Sequence, residues 1–188
     1  MKRIIVCILA ALCALSMNAQ NSEQIISKIE KAYTSSKTVQ DKFSEVFTPA
    51  DKSLKQKMRD GRFEFKPGYF KMDYSNGDIF LIEGTTMTIK NGPASQKFDL
   101  TKNLMMKNLS STLTYVFQSQ LTKLATEQNA DITATKDGNF YLVTLTAKKK
   151  APRGYSQIVA YYRISDCKLY SLRMDEFTGA STFYSIAK

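Results

Sequence analysis

The chain contains no histidine, and this decides most of what its side chains could do in catalysis. Ser-His-Asp and Cys-His pairs, histidine metal ligands and an imidazole pH switch are all excluded. The carboxylates Asp73, Asp78 and Glu83 fall among alternating apolar segments with no local motif around them, and Asp175-Glu176 approaches a turn. Asp131 and Asp137 lack the ligand spacing of a calcium loop. No nucleophile elbow, P-loop or dinucleotide fingerprint occurs. Cys167 has no imidazole to activate it. These residues predict a binding protein, not an enzyme, with no metal and no cofactor.

The side chains that could do something else are apolar. Phe63, Phe65, Phe70, Met72, Tyr74, Phe80, Ile82, Met87 and Ile89 recur at near-regular spacing and could together line a concave sheet. Large rings and flexible thioethers suit a site that accepts flexible chains. The same residues could simply pack against helices, because periodicity does not separate a filled core from a cavity. The basic residues suggest a different partner. The chain carries 27 Lys+Arg against 17 Asp+Glu, and Tyr155 to Arg163 interleaves aromatic rings with charge. Yet no RRM, KH or helix-turn-helix pattern occurs, so no nucleic acid partner is expected. Excess lysine serves solubility or attraction to anionic surfaces. The cluster Ala147 to Gly154, with Lys148-Lys149-Lys150, reads as a solvated hairpin tip.

Positioning these residues requires a sheet. Val39, Phe43 and Phe47 share one parity; Phe63 and Phe65 alternate with Arg62 and Glu64; Phe70, Met72 and Tyr74 alternate with Tyr69, Lys71 and Asp73. Such alternation is what an antiparallel sheet with one buried face requires. Turn signals at Asp60-Gly61, Lys66-Pro67-Gly68, Asn76-Gly77-Asp78, Glu83-Gly84, Asn91-Gly92-Pro93 and Asp137-Gly138-Asn139 punctuate a meander of roughly ten strands. Ile79 to Ile82 is apolar on both faces, which predicts cover on the second face as well. Later strands are expected at Phe140 to Thr146, Ser156 to Ile164, Lys168 to Met174 and Ala180 to Ile186.

Two helices interrupt the pattern. Ser22 is the expected N-cap of the first, whose face is Ile25, Ile26, Ile29, Ala32 and Tyr33, ending in Thr34-Ser35-Ser36. Asn108 to Gln128 is the second: Leu109, Leu113, Val116, Phe117, Leu121 and Leu124 trace one stripe, with Leu104-Met105-Met106 just before it. Both stripes need a surface to bury them, and a large curved sheet supplies one. With it come four further ligand candidates, Met105, Met106, Leu113 and Phe117.

The first residues have another purpose. Met1-Lys2-Arg3 is a positive n-region, Ile4 to Leu15 an uncharged apolar run, and Ala19 a small residue at a cleavage position. The run is too short to span a bilayer, which takes about 20 residues. Residues 1–19 are therefore expected to be a cleaved signal peptide, and 20–188 a single domain. Loss of Lys2 and Arg3 leaves 25 basic against 17 acidic residues, or +8. Cys7 and Cys13 leave with the signal, so Cys167 has no partner for an internal disulfide.

One stretch carries a resemblance. Gly61-Arg62-Phe63-Glu64-Phe65-Lys66-Pro67-Gly68-Tyr69-Phe70-Lys71-Met72-Asp73-Tyr74 resembles a signature of the LolA family, the outer-membrane lipoprotein carriers: a strand, a basic residue with Pro, then an aromatic-rich strand ending in Tyr. Leu81 to Met87 is similar to the family's next hairpin, and Met174 to Gly179 with Thr182-Phe183-Tyr184 to its closing one. The resemblance implies a mainly β fold with α: an unclosed, curved antiparallel half-barrel covered by lid helices. It implies a periplasmic monomer that takes acylated lipoproteins from an inner-membrane release transporter, shields their acyl chains, and delivers them to an outer-membrane acceptor. Lys66 stands where the family has an Arg that helps hold the lid; Lys keeps the charge but loses the planar fork. A periplasmic lipid-sensing regulatory protein of the same fold is the alternative. The physical need is plain: about forty methylenes in water would cost on the order of 30 kcal/mol.

Overall fold

A computed structural model of the chain describes residues 21–33, 38–151 and 154–186. The expected signal segment, the expected end of the first helix at residues 34–36 and part of the basic loop lie outside them. The elements run α1 (21–32), β1 (Val39–Thr48), β2 (Lys57–Lys66), β3 (Tyr69–Tyr74), β4 (Ile79–Glu83), β5 (Thr86–Asn91) and β6 (Ala94–Asp99). There follow α2 (Leu104–Phe117), α3 (Leu121–Glu127), β7 (Ala130–Asp137), β8 (Phe140–Ala147), β9 (Tyr155–Arg163), β10 (Leu169–Glu176) and β11 (Ser181–Ile186). Among the described residues no helix is long and apolar enough to cross a membrane.

All eleven strands form one antiparallel sheet, one strand more than the turn signals suggest. Its order is β6-β5-β4-β3-β2-β1-β11-β10-β9-β8-β7. The chain starts at the middle of the sheet, steps outward to β6, and returns inward from β7 to β11. Strand β11 then pairs with β1, with Phe43 opposite Ile186 and Thr48 opposite Ser181. The sheet does not close, because β6 and β7 are its two edges. The connection between those edges is α2 and α3. The helices therefore cross from one rim of the curved sheet to the other, and their apolar stripes meet its concave face.

The alternation in the sequence is the alternation of the sheet. Phe63 and Phe65, then Phe70, Met72 and Tyr74, then Phe80 and Ile82, then Met87 are buried on one face. In register, Phe63 faces Met72, Phe65 faces Phe70, Phe70 faces Ile82 and Ile82 faces Met87. Tyr141, Val143, Leu145, Ile158, Ala160, Tyr162, Leu172 and Met174 continue the same face across the other half. The expectation that β4 is covered on both faces is corrected. Ile79 and Leu81 are only half-buried, and Leu81 is sheltered by its cross-strand neighbours Lys71 and Thr88.

Gly61 is the one strand glycine with a steric reason. It sits between Phe43 of β1 and Tyr74 of β3, and a Cβ there would clash with the Asp73 carbonyl oxygen. The β3 backbone comes too close to leave room for a side chain, which is a recurrent use of glycine within a strand.

The helices differ from expectation in three places. The helix expected over Asn108 to Gln128 is two helices. The first starts at Leu104, because Asn103 is its N-cap and its side chain accepts from the Met106 N–H at 3.1 Å. It stops at Phe117 in a Schellman turn: Ser119 takes φ 54°, its N–H reaches the Val116 carbonyl, and the Gln120 N–H reaches that of Tyr115. The turn preserves the three-and-four spacing from Phe117 through Leu121 to Leu124, so the stripe reads as unbroken. Thirdly, Ser22 lies within α1, and its hydroxyl accepts from the Ala134 N–H on edge strand β7 at 2.7 Å.

Candidate functional site

The two ends of α2 are held differently. At its C-terminal end Leu113, Val116 and Phe117 are buried. Phe117 enters an aromatic cluster on the sheet, with its ring centroid 4.8 Å from Phe63 and 5.1 Å from Phe70. The Tyr162 hydroxyl donates to the Val116 carbonyl at 2.8 Å, a buried bond from sheet to helix. Nothing comparable holds the N-terminal end among the described residues. Leu104 is 71% exposed and Met105 43% exposed, while Met106 and Leu109 are half-buried.

Beneath that loosely held half lies a recess of about 690 Å³. Met72, Tyr74, Phe80 and Ile89 form one wall, Met174 and Tyr184 the other, and Leu109 and Leu113 the roof. A second recess of about 360 Å³ adjoins it at the start of α2, lined by Met105, Met106 and Gly154. The two share Leu109, Tyr155 and Glu176, so together they form one groove opening beneath the helix. A third recess, about 420 Å³, lies at the opposite end, beside Tyr33, Val39, Phe63, Phe117 and Cys167. All fall in the size range of small-molecule sites, about 300–1,000 Å³.

The structure divides the residues singled out from the sequence. Met72, Tyr74, Phe80 and Leu113 line the main recess, and Met105 and Met106 its extension. Phe63 and Phe117 border the third recess. Phe65, Phe70, Ile82 and Met87 border none of these and fill the space between sheet and helices. Lys66 sits on the β2–β3 hairpin. Its ammonium is 3.7 Å from Glu64 and lies over the Tyr69 ring, so its recorded partners belong to its own hairpin and not to a helix.

One wall of the main recess is polar, and the sequence reading missed it. Glu45 is 2% exposed on the concave face of β1, in phase with Phe43. Both Nε and Nη2 of Arg59 donate to its Oε1, and the Tyr74 hydroxyl donates to Oε2 at 2.6 Å. The Arg59 guanidinium also lies over the Tyr74 ring, 4.2 Å from its centroid. Burial, then the Glu45 charge, pushes the Tyr74 phenol far above its usual range, so it stays neutral. Burial and the Glu176 charge do the same to Tyr155. A signal for the pair was present: a carboxylate in phase with buried Phe43, and a cation in phase with Phe63 and Phe65 on the next strand.

Burial raises the Cys167 thiol above its ordinary value, which disfavours the thiolate. Among the described residues no group of three or more acidic or sulfur side chains is placed to hold a metal ion. What the arrangement can do is enclose an apolar chain beside one hydrogen-bonding wall.

No protein-family model matches the chain, and no curated protein matches it. Solved structures do. A domain from Vibrio parahaemolyticus named for outer-membrane lipoprotein sorting shares 11% identity, covering 91% of this chain and 92% of that one, with a TM-score of 0.48. A LolA superfamily protein from Nitrosomonas europaea shares 9% identity over 89% of this chain and 91% of that one, with a TM-score of 0.41. In the Pseudomonas aeruginosa MucA/MucB complex, the matched chain shares 10% identity over 86% of this chain but only 53% of its own length, with a TM-score of 0.45. The open antiparallel sheet with helices between its edges is the arrangement that the sequence resemblance implied.

Proposed function

We propose that this chain is an exported periplasmic carrier that shields the acyl chains of lipoproteins or lipids in the groove beneath α2 and delivers them to the outer membrane. The observation that carries the reading is the groove itself: apolar walls of Met72, Phe80, Ile89 and Met174 beside one polar wall, roofed by Leu109 and Leu113 where α2 passes from its loosely held half to its firmly held one. Acyl burial supplies ample driving force, about 0.8 kcal/mol per methylene. A roof that already covers apolar surface when empty competes with the ligand for it, which weakens binding and permits release. The sequence resemblance adds the expected route, from an inner-membrane release transporter to an outer-membrane acceptor.

Native mass spectrometry of the protein recovered from its own periplasm tests this. The expected spectrum shows adducts with the mass of acylated species. Leu109→Asp, which places a charge in the roof of the groove, should remove them while leaving the circular dichroism of the sheet unchanged. A wild-type protein that carries no acyl adduct, and acquires none when incubated with lipid, would contradict the reading.

A further inference from the structure

The polar wall of the groove is more than an acyl chain needs. Glu45 is only 2% exposed, and burying its charge carries a desolvation cost that an apolar side chain of similar volume avoids. Here the pair is also arranged. Glu45 engages Nε and Nη2 of Arg59, and Tyr74 holds the other carboxylate oxygen and supports the guanidinium face. Nη1 is left over. Its nearest recorded acidic neighbour is Asp78, at 3.9 Å, beyond hydrogen-bond range. Among the described residues Nη1 makes no hydrogen bond, and Arg59 is 37% exposed where it lines the groove.

We propose that Arg59 is the head-group contact of the groove, donating from Nη1 to the carbonyl oxygen of an esterified acyl chain whose tail runs beneath α2. This rests on the acyl-binding reading above and names the chemical class within it. Charge selects the ester over a free fatty acid. The groove is lined by three acids, Glu45, Asp78 and Glu176, against two bases, Lys57 and Arg59. A carboxylate brought to Nη1 would lie beside Asp78 in a wall already net negative. A neutral carbonyl accepts the same hydrogen bond without that repulsion. The guanidinium, fixed by Glu45 and Tyr74, reaches such an acceptor without losing further side-chain freedom.

The test compares two ligands that differ only in the carbonyl: 1-monopalmitoylglycerol and its ether analogue 1-O-hexadecylglycerol, each displacing a fluorescent fatty-acyl probe, with palmitate as a third competitor. The wild-type protein should bind the ester about tenfold more tightly than the ether, the worth of one hydrogen bond to a charged donor. Palmitate should bind more weakly than the ester. Arg59→Lys keeps a cation for Glu45 but removes Nη1, and it should bring the ester down to the ether's affinity while leaving the ether unchanged. The double variant E45Q/R59M strands neither charge, and it should do the same if Arg59→Lys fails to fold. Equal wild-type affinity for ester and ether, equal weakening of both by Arg59→Lys, or palmitate as the best ligand would each overturn the assignment. Ether binding by the wild type keeps the acyl-binding reading standing if the ester preference fails. If neither glycerolipid binds, both fall.

Discussion

Two residues show how far local chemistry dictates this structure. A side chain at Gly61 would run into the β3 backbone at Asp73 and Tyr74. Gly61→Ala should destabilise the protein by about 1–3 kcal/mol, the usual cost of forcing atoms into a packed site. Urea denaturation measures it, and the slope with denaturant should not change. Asp60-Gly61 reads from the sequence as a turn, whereas the glycine is inside a strand. The dipeptide carries the turn signal, but the demand on Gly61 comes from Asp73, which is distant in sequence. Glu45 is the second case. A lone carboxylate in a strand says nothing of its partner until the register of β1 with β2 places Arg59 directly opposite it. The apolar residues were legible because each obeys a rule of its own strand. Each member of the polar pair is likewise in phase with apolar neighbours on its own strand, but that they pair is visible only between strands.

At the scale of the element, α2 is a helix in two parts. Its C-terminal turns are fastened by Phe117 among the sheet aromatics and by the Tyr162 bond to Val116. Its N-terminal turns carry exposed Leu104 and Met105 over the groove. We propose that the part of α2 that moves is residues 104–109, with residues 112–117 as its anchor. Hydrogen exchange should reveal a gradient: amides of the first half exchange faster in the free protein and gain protection on lipid binding, while those near Val116 stay protected throughout. Phe117→Ala should cost about 3–5 kcal/mol as a core truncation. Met106→Ala should change stability by far less and lipid uptake by more. Uniform protection along α2, unaltered by lipid, would make the whole helix fixed core. The stripe from Leu109 to Leu124 predicted burial correctly but not continuity, because a Schellman turn conserves the spacing it interrupts.

The whole molecule follows from one topological choice. The chain builds the sheet outward from β1, crosses between the edges with helices, and rebuilds inward to β11. Helices placed at that crossing must cover the concavity, and a sheet whose edges never meet must leave a mouth. Alternation and turns foretold the meander, but the order of strands depends on the β1–β11 pairing, which joins opposite ends of the chain. The central claim is that an acyl chain lies on the concave face beneath α2. The most direct measurement is photolabelling with a palmitoyl ester bearing a diazirine near the end of its chain, followed by mapping of the modified peptides. Label should fall on residues lining the groove, among them Met72, Phe80, Ile89, Leu109 and Met174, and excess unlabelled ester should suppress it. Label confined to the opposite, convex face, around Tyr161 and Phe183, or label that no competitor reduces, would contradict it.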